Sequence, residues 1–128
     1  MIESRTLLQL CQSHFGNGES AALADLPREK GGRGEGFGPH ELLEAALATC
    51  ITMTVQLHAQ KQGWPLREAR CIVRIDRADP MEAKLEYRLE IDGPLTPDQL
   101  AELRRVAGQC PVSRTLTHPI RIDAAATS

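Results

Sequence analysis

Apolar and polar residues alternate in short steps over residues 4–13, and the Gly16-Asn17-Gly18 triplet that follows is a hairpin signal. A strand pair is therefore predicted, its second arm at 19–25. Between Pro27 and Pro39 the alternation gives way to five glycines and five charges, the composition of a loop. From Pro39 to about Gln62 the apolar spacing becomes helical. Proline suits a first helical turn, and Gly63 followed by Pro65 stops the helix. Leu43, Ala46, Leu47, Cys50, Met53, Thr54 and Leu57 share one stripe, while Leu42, Ala45, Ala48, Ile51, Val55 and Ala59 cover much of the remaining circumference. A helix of this length, roughly 36 Å, that is apolar nearly all round needs cover on more than one side. One small sheet in a monomer can hardly supply it, so a homodimer that buries the helix between subunits is expected.

The second half returns to alternation. Cys71, Val73 and Ile75 mark a strand at 69–76; Leu85, Tyr87, Leu89 and Ile91 mark another at 82–92. Thr96 is placed to cap a helix opening at Pro97, with Leu100, Leu103 and Val106 on its apolar face and Gly108 at its end. Cys110-Pro111 opens a further short helical turn, and 120–122 reads as a last strand. The order ββ-α-ββ-αα-β predicts one α+β domain over 1–128, its antiparallel sheets packed on the long central helix that carries Cys50. Residues 124–128 read as a frayed tail.

Composition narrows the function. At 128 residues, 41% hydrophobic and 25% charged, the chain reads as an ordinary globular protein. Its net charge of -2 gives no electrostatic case for nucleic acid or an anionic membrane surface. No apolar run approaches the roughly 20 residues that span a bilayer, and the first residues show no secretory signal. The expected compartment is the cytoplasm.

The four cysteines, Cys11, Cys50, Cys71 and Cys110, lie in no Cys-x-x-Cys pair, and no His-x-x-x-His occurs. Neither a metal site nor a secreted disulfide framework is expected. What remains is packed thiols or redox thiols. Cys11 and Cys71 show no activating context and read as packing residues. Cys110 stands where a helix cap would stand, so exposed backbone N–H groups, with Arg114 one turn on, would favour its thiolate; packing at a helix junction is the alternative. Cys50 lies mid-helix, where burial alone makes a thiol inert; it is either core or activated by groups brought from elsewhere. His40 and His58 are too far apart along the helix to share a metal. His14 and His118 have no visible partner, and Trp64 reads as a packing anchor.

Two stretches carry a family resemblance. Residues 26–50, with Gly31-Gly32-Arg33-Gly34 and Pro39-His40-Glu41-Leu42-Leu43 ahead of Cys50, resemble the glycine-rich loop and central helix of the OsmC/Ohr family. Gln109-Cys110-Pro111-Val112-Ser113-Arg114 resembles that family's second-cysteine motif, 60 residues downstream of the first cysteine. The resemblance runs from Asp25 to Ile122. It implies an intertwined homodimer and a thiol peroxidase for organic hydroperoxides or hydrogen peroxide. Cys50 would be the peroxidatic thiol and Cys110 the thiol that resolves it as a disulfide. A small-molecule or protein-bound dithiol would be the reductant, with no cofactor.

Family peroxidases place an Arg in the first hairpin turn and a Glu directly after the helix-opening proline. This chain has Asn17 and His40 there, so Arg33 and Glu41 are the nearest substitutes. Glu41 and Cys50, nine residues apart, face opposite sides of one helix, so Glu41 would serve the partner's site if any. The displaced residues leave a second reading open, an OsmC-like protein that binds a small ligand without efficient peroxidase activity.

Overall fold

The computed structural model describes residues 1–126. It is an α+β chain of two antiparallel sheets and a long helix, in two compact units, Met1–Ala45 and Ala46–Ser128.

The first unit holds a three-stranded sheet, β1 (Glu3–Thr6), β2 (Gln12–Gly16) and β3 (Ala21–Asp25), in sequential order. The β2–β3 hairpin turns where expected. Asn17 folds its carboxamide oxygen onto the N–H groups of Glu19 and Ser20, at 2.9 and 2.7 Å, and Gly18 takes φ +97°. The single strand read over 4–13 is instead two. The chain reverses at residues 7–11, closed by the Leu7 N–H on the Gln12 carbonyl at 3.1 Å. Cys11 lies in that reversal with φ +68°, directly ahead of β2. The turn is built from Leu and Cys with a single Gln and lacks Gly, Pro, Asn, Asp and Ser, so its composition gives no sign of it. After β3 the chain makes one 3-10 turn, Arg28–Lys30, and the glycine-rich loop folds back onto β3 through paired bonds between Leu23, Asp25 and Phe37.

Helix α1 spans Pro39–Gln62. Its start is fixed by Glu41, whose carboxylate accepts the Gly38 N–H at 2.9 Å, the reciprocal half of a capping box. At its end Gly63 adopts φ +72°, and the N–H groups of Gly63 and Trp64 return to the carbonyls of Gln60 and Ala59. That is a Schellman closure, which needs glycine at the left-handed position. By length and composition α1 could cross a membrane. This corrects the expectation that no apolar run reaches such a length: Thr49, Thr52, Thr54 and Gln56 are interspersed among the apolar residues without making the helix polar. A core helix passes the same test, and α1 supplies the spine of the second unit's core.

That core gathers Leu47, Ile51, Val55 and Ala59 from α1, Leu89 from β5 (Lys84–Asp92), and Leu103 and Ala107 from α2 (Pro97–Ala107). The buried line therefore recurs every fourth residue and cuts across both expected stripes; Met53 and Leu57 stay exposed. Strand β4 (Glu68–Asp76) pairs with β5 in register from Glu68–Asp92 to Asp76–Lys84. Its alternation buries Ala69, Cys71, Val73 and Ile75 in part and sends charges outward, where Arg70 meets Glu90 at 3.0 Å. Thr96 caps α2 as expected, and the Gln99 side chain accepts the Thr96 N–H in return. Trp64 packs on the core and meets His58 edge to face.

Helix α3 (Pro111–Thr117) follows α2 directly. No strand forms at 120–122: Ile120 and Ile122 are exposed and the segment has no regular structure. A three-residue strand needs an edge to pair with, and among the described residues none takes it up. Residues 124–126 are likewise irregular, and the rest of the expected frayed tail lies outside the described residues.

Candidate functional site

Two helices bring Cys50 and Cys110 together in the second unit. Cys50 sits on α1 next to the fully buried Ile51, is itself part-buried, and packs on the core cluster. Cys110 sits between α2 and α3. The chain turns there as the N–H groups of Gln109 and Cys110 reach the carbonyls of Val106 and Ala107, and Pro111 starts the next helix. The fold leaves Cys110 with no solvent exposure.

As expected, Cys110 caps α3, its sulfur accepting the Ser113 N–H at 3.4 Å. Its acidity runs the other way. Burial pushes the thiol above its ordinary range. The Ser113 and Val112 N–H groups oppose that, and a side-chain hydrogen bond with Cys50 adds to it. The expected activated thiolate at Cys110 is thus overturned: desolvation outweighs the helix N-terminus. What the site holds is a buried thiol, favoured in its protonated form, packed beside a more accessible one.

A third thiol lies in the same core. Cys71 is on the core-facing side of β4, opposite Leu89. Burial raises it first, then the neighbouring Cys110.

In the first unit, Asp25 organises the glycine-rich loop. It is 2% exposed and accepts Gln12 Nε2 at 3.1 Å, the Arg33 N–H at 3.2 Å and the Glu35 N–H at 3.0 Å. Those bonds, the Glu35 N–H foremost, hold its carboxyl below the usual range against the opposing effect of burial. The loop presses close. A Cβ on Gly32 would stand 1.9 Å from the Leu26 carbonyl and 2.6 Å from Asp25 Oδ1. Arg33 reaches Glu35 at 3.7 Å with its side chain 61% exposed, Glu41 is engaged by Gly38, and His40 is exposed. The sequence reading missed Asp25 and Gln12. A lone carboxylate directly ahead of a loop rich in free N–H groups was the available signal. Among the described residues no group of His, Cys, Asp or Glu is placed to hold a metal ion.

Solved structures share this fold. An OsmC-like protein from Mycoplasma pneumoniae superposes with a TM-score of 0.75 at 22% identity, over 91% of this chain and 85% of that one. An organic hydroperoxide resistance protein, OsmC, from Legionella pneumophila gives 0.65 at 23% identity, over 91% and 88%. The organic hydroperoxide resistance protein OhrB of Bacillus subtilis gives 0.62 at 20% identity, over 91% and 89%. A search of curated protein sequences finds no match. Residues 32–125, which include both Cys50 and Cys110, match the profile of the OsmC-like protein family, and the chain belongs to that family.

Proposed function

We propose that this protein is a thiol-dependent peroxidase acting on organic hydroperoxides or hydrogen peroxide. The observation that carries the reading is the convergence of Cys50 and Cys110: two free thiols, 60 residues apart in sequence, packed in one core and near enough for Cys50 to act on Cys110. Their environments divide the work. Cys50, the more accessible, attacks the distal peroxide oxygen as a thiolate; the O–O bond breaks, an alcohol or water leaves, and Cys50 becomes a sulfenic acid. Cys110, kept protonated by burial, holds its S–H toward Cys50 until that step. It then attacks the Cys50 sulfur, water departs, and a disulfide remains for a dithiol to reduce. No metal or organic cofactor enters this cycle. The family's hydroperoxide resistance proteins support the substrate class.

The same reading includes a homodimer in the cytoplasm, supported by the exposed Met53 and Leu57 on α1. Arg33 of the glycine-rich loop is the cation proposed to steady the Cys50 thiolate, with Glu41 and His40 as weaker candidates for orienting substrate.

One observation favours the second reading, ligand binding without efficient turnover. Arg33 and Glu41 are both engaged locally, with Glu35 and Gly38, and an apolar cleft of about 300 Å³ lined by Ile2, Phe15, Leu26 and Leu42 lies in the first unit. The deciding experiment gives reduced protein and dithiothreitol either cumene hydroperoxide or hydrogen peroxide. Consumption with a Cys50–Cys110 disulfide in the peptide map supports the peroxidase. No consumption of either peroxide rejects it in favour of the second reading.

A further inference from the structure

Resolution by Cys110 depends on where its thiol is held, and that thiol sits on a short turn between two helices. Two consecutive arginines in the last turn of α2 grip the surroundings of this turn in different directions. Arg104 crosses to the sheet. Its Nη1 donates to the Leu89 carbonyl of β5 at 2.9 Å, a charge-assisted bond in a partly buried setting. Leu89 belongs to the same buried cluster as Cys110. Arg105 works along the helix. Its Nε and Nη2 donate to the two carboxylate oxygens of Glu102 at 2.9 and 2.6 Å, and its Nη1 donates to Gln109 Oε1 at 3.3 Å. The Arg105 fork holds the Glu102 carboxyl below its usual range. Glu102 Oε1 also stands 3.6 Å from His58 Nε2 on α1, the helix that carries Cys50. Gln109 directly precedes Cys110, and its N–H closes on the Val106 carbonyl at 3.0 Å. Exposed pairs such as Arg105–Glu102 add little to stability. What the set does is geometric: it ties the end of α2 to β5, to α1 and to the residue before Cys110.

We propose that Arg104 and Arg105 are positioning residues for the resolving step, holding the α2–α3 turn so that the Cys110 sulfur stays aligned on Cys50. The proposal rests on the peroxidase reading. Neither arginine is a catalytic residue; each acts through the turn. The step they serve is attack of the Cys110 sulfur on the Cys50 sulfenic acid. The S–S bond forms, the S–O bond breaks, and the hydroxyl leaves as water with the Cys110 proton. Intramolecular attack of this kind is steeply sensitive to placement. A second peroxide, by contrast, reaches the sulfenic acid without Cys110. Loosening the turn therefore diverts Cys50 from the disulfide to the sulfinic acid.

The test compares the full wild-type chain with Arg104→Met, Arg104→Lys, Arg105→Met and Arg105→Lys. Methionine keeps the unbranched stem without the donors, and lysine keeps a cation without the planar fork. In one arm, reduced protein freed of reductant receives excess cumene hydroperoxide, and peptide maps give the ratio of Cys50 sulfinic acid to Cys50–Cys110 disulfide. In the other, glutathione redox buffers give the equilibrium of the same disulfide, and hence the effective concentration of Cys110 at Cys50, without peroxide. Both methionine variants are expected to raise the sulfinic ratio, and to lower the effective concentration, about tenfold. Arg104→Lys should recover most of the loss, because the Leu89 carbonyl needs one donor. Arg105→Lys should recover less, because one ammonium cannot hold Glu102 and Gln109 as the fork does. If either methionine variant matches wild type in glutathione, the proposal is overturned whatever peroxide does. Losses equal in the methionine and lysine variants that track a lowered urea midpoint also overturn it, as the mark of a merely structural role. If the wild type forms neither sulfinic acid nor disulfide with peroxide while the glutathione arm responds as expected, the peroxidase reading falls and the positioning role stands.

Discussion

The backbone N–H of Ser113 donates to the Cys110 thiol at 3.4 Å, so this cysteine caps α3 while lying fully out of solvent. Structure and chemistry can be separated at this position. In Cys110→Ser the hydroxyl keeps the cap, whereas Cys110→Ala loses it and should unfold about 1 kcal/mol more easily. Urea midpoints at constant slope read that difference. Both variants lose the resolving thiol, so peroxide should carry Cys50 past the sulfenic acid to the sulfinic acid. If either variant turns over peroxide at the wild-type rate with a dithiol, Cys110 is not the resolving residue.

Stability should fall in alkali. Both Cys71 and Cys110 are raised in the fold, chiefly by burial. A thiol raised in the folded state contributes stability that is fully present below its unfolded pKa of about 8.5. That contribution is lost as pH rises through the higher folded value. Urea midpoints taken from neutral pH to about 10.5 should therefore decline, with most of the slope above the ordinary thiol range. Cys71→Val, which removes one titrating group and suits a strand, should flatten the decline. A slope identical to wild type would show that burial of Cys71 does not govern it.

How much of this was legible depends on whether the determining contact is local. The ends of α1 and α2 could be read because Pro39, Gly63, Thr96 and Gly108 act within one turn of their own positions. Cys110 was placed correctly as a cap for the same reason, but its acidity was not. Its burial comes from the core it shares with α1 and with Leu89 of β5, elements far from it in sequence, whereas the residues around it show only the helix N-terminus. The reversal at residues 7–11 is made of Leu, Gln and Cys rather than Gly or Asn, so nothing in its composition marks it. Asp25 escaped notice because its partners are backbone N–H groups eight and ten residues on, at Arg33 and Glu35.

The glycine-rich loop offers a paired test. At Gly32 a methyl group would meet two atoms that cannot retreat, the Leu26 carbonyl and the hydrogen-bonded Asp25 carboxylate. Gly32→Ala should cost about 1–3 kcal/mol, the usual penalty of overpacking. Gly34 has φ +64° but open space around it, so Gly34→Ala should cost only the left-handed strain, about 1–2 kcal/mol. Gly32→Ala should also disturb the amide signals of Arg33 and Glu35 more than Gly34→Ala does. The reverse order in both stability and spectra would mean that the Asp25 anchor does not set the loop.

Oligomeric state follows from the uncovered side of α1. Met53 is 65% and Leu57 51% exposed, one helical turn apart on a single face. Light scattering of the wild type should give twice the chain mass. The double change Met53→Lys, Leu57→Lys should weaken self-association at least about tenfold, as expected for central apolar anchors. A wild-type chain that stays monomeric at high concentration would leave this face without the proposed partner.

Arg33 and Glu41 should behave in opposite ways. The Arg33–Glu35 pair is solvent-exposed at 3.7 Å, and such pairs contribute little to stability, about 0–1 kcal/mol. Arg33→Ala should therefore fold normally. If its guanidinium steadies the Cys50 thiolate and the charge that develops as the O–O bond breaks, kcat/KM for cumene hydroperoxide should fall on the order of 10²-fold. Arg33→Lys should restore part of the loss, since a cation remains without the planar fork. Glu41 is tied to the Gly38 N–H, and glutamine can fill that place in a capping box. Glu41→Gln should accordingly leave turnover unchanged, while Glu41→Ala lowers the unfolding midpoint through the lost cap. Unchanged turnover in Arg33→Ala would remove this arginine from the site and leave it a loop charge neutralised by Glu35. A large loss in Glu41→Gln with normal folding would move the catalytic role from the loop to the start of α1.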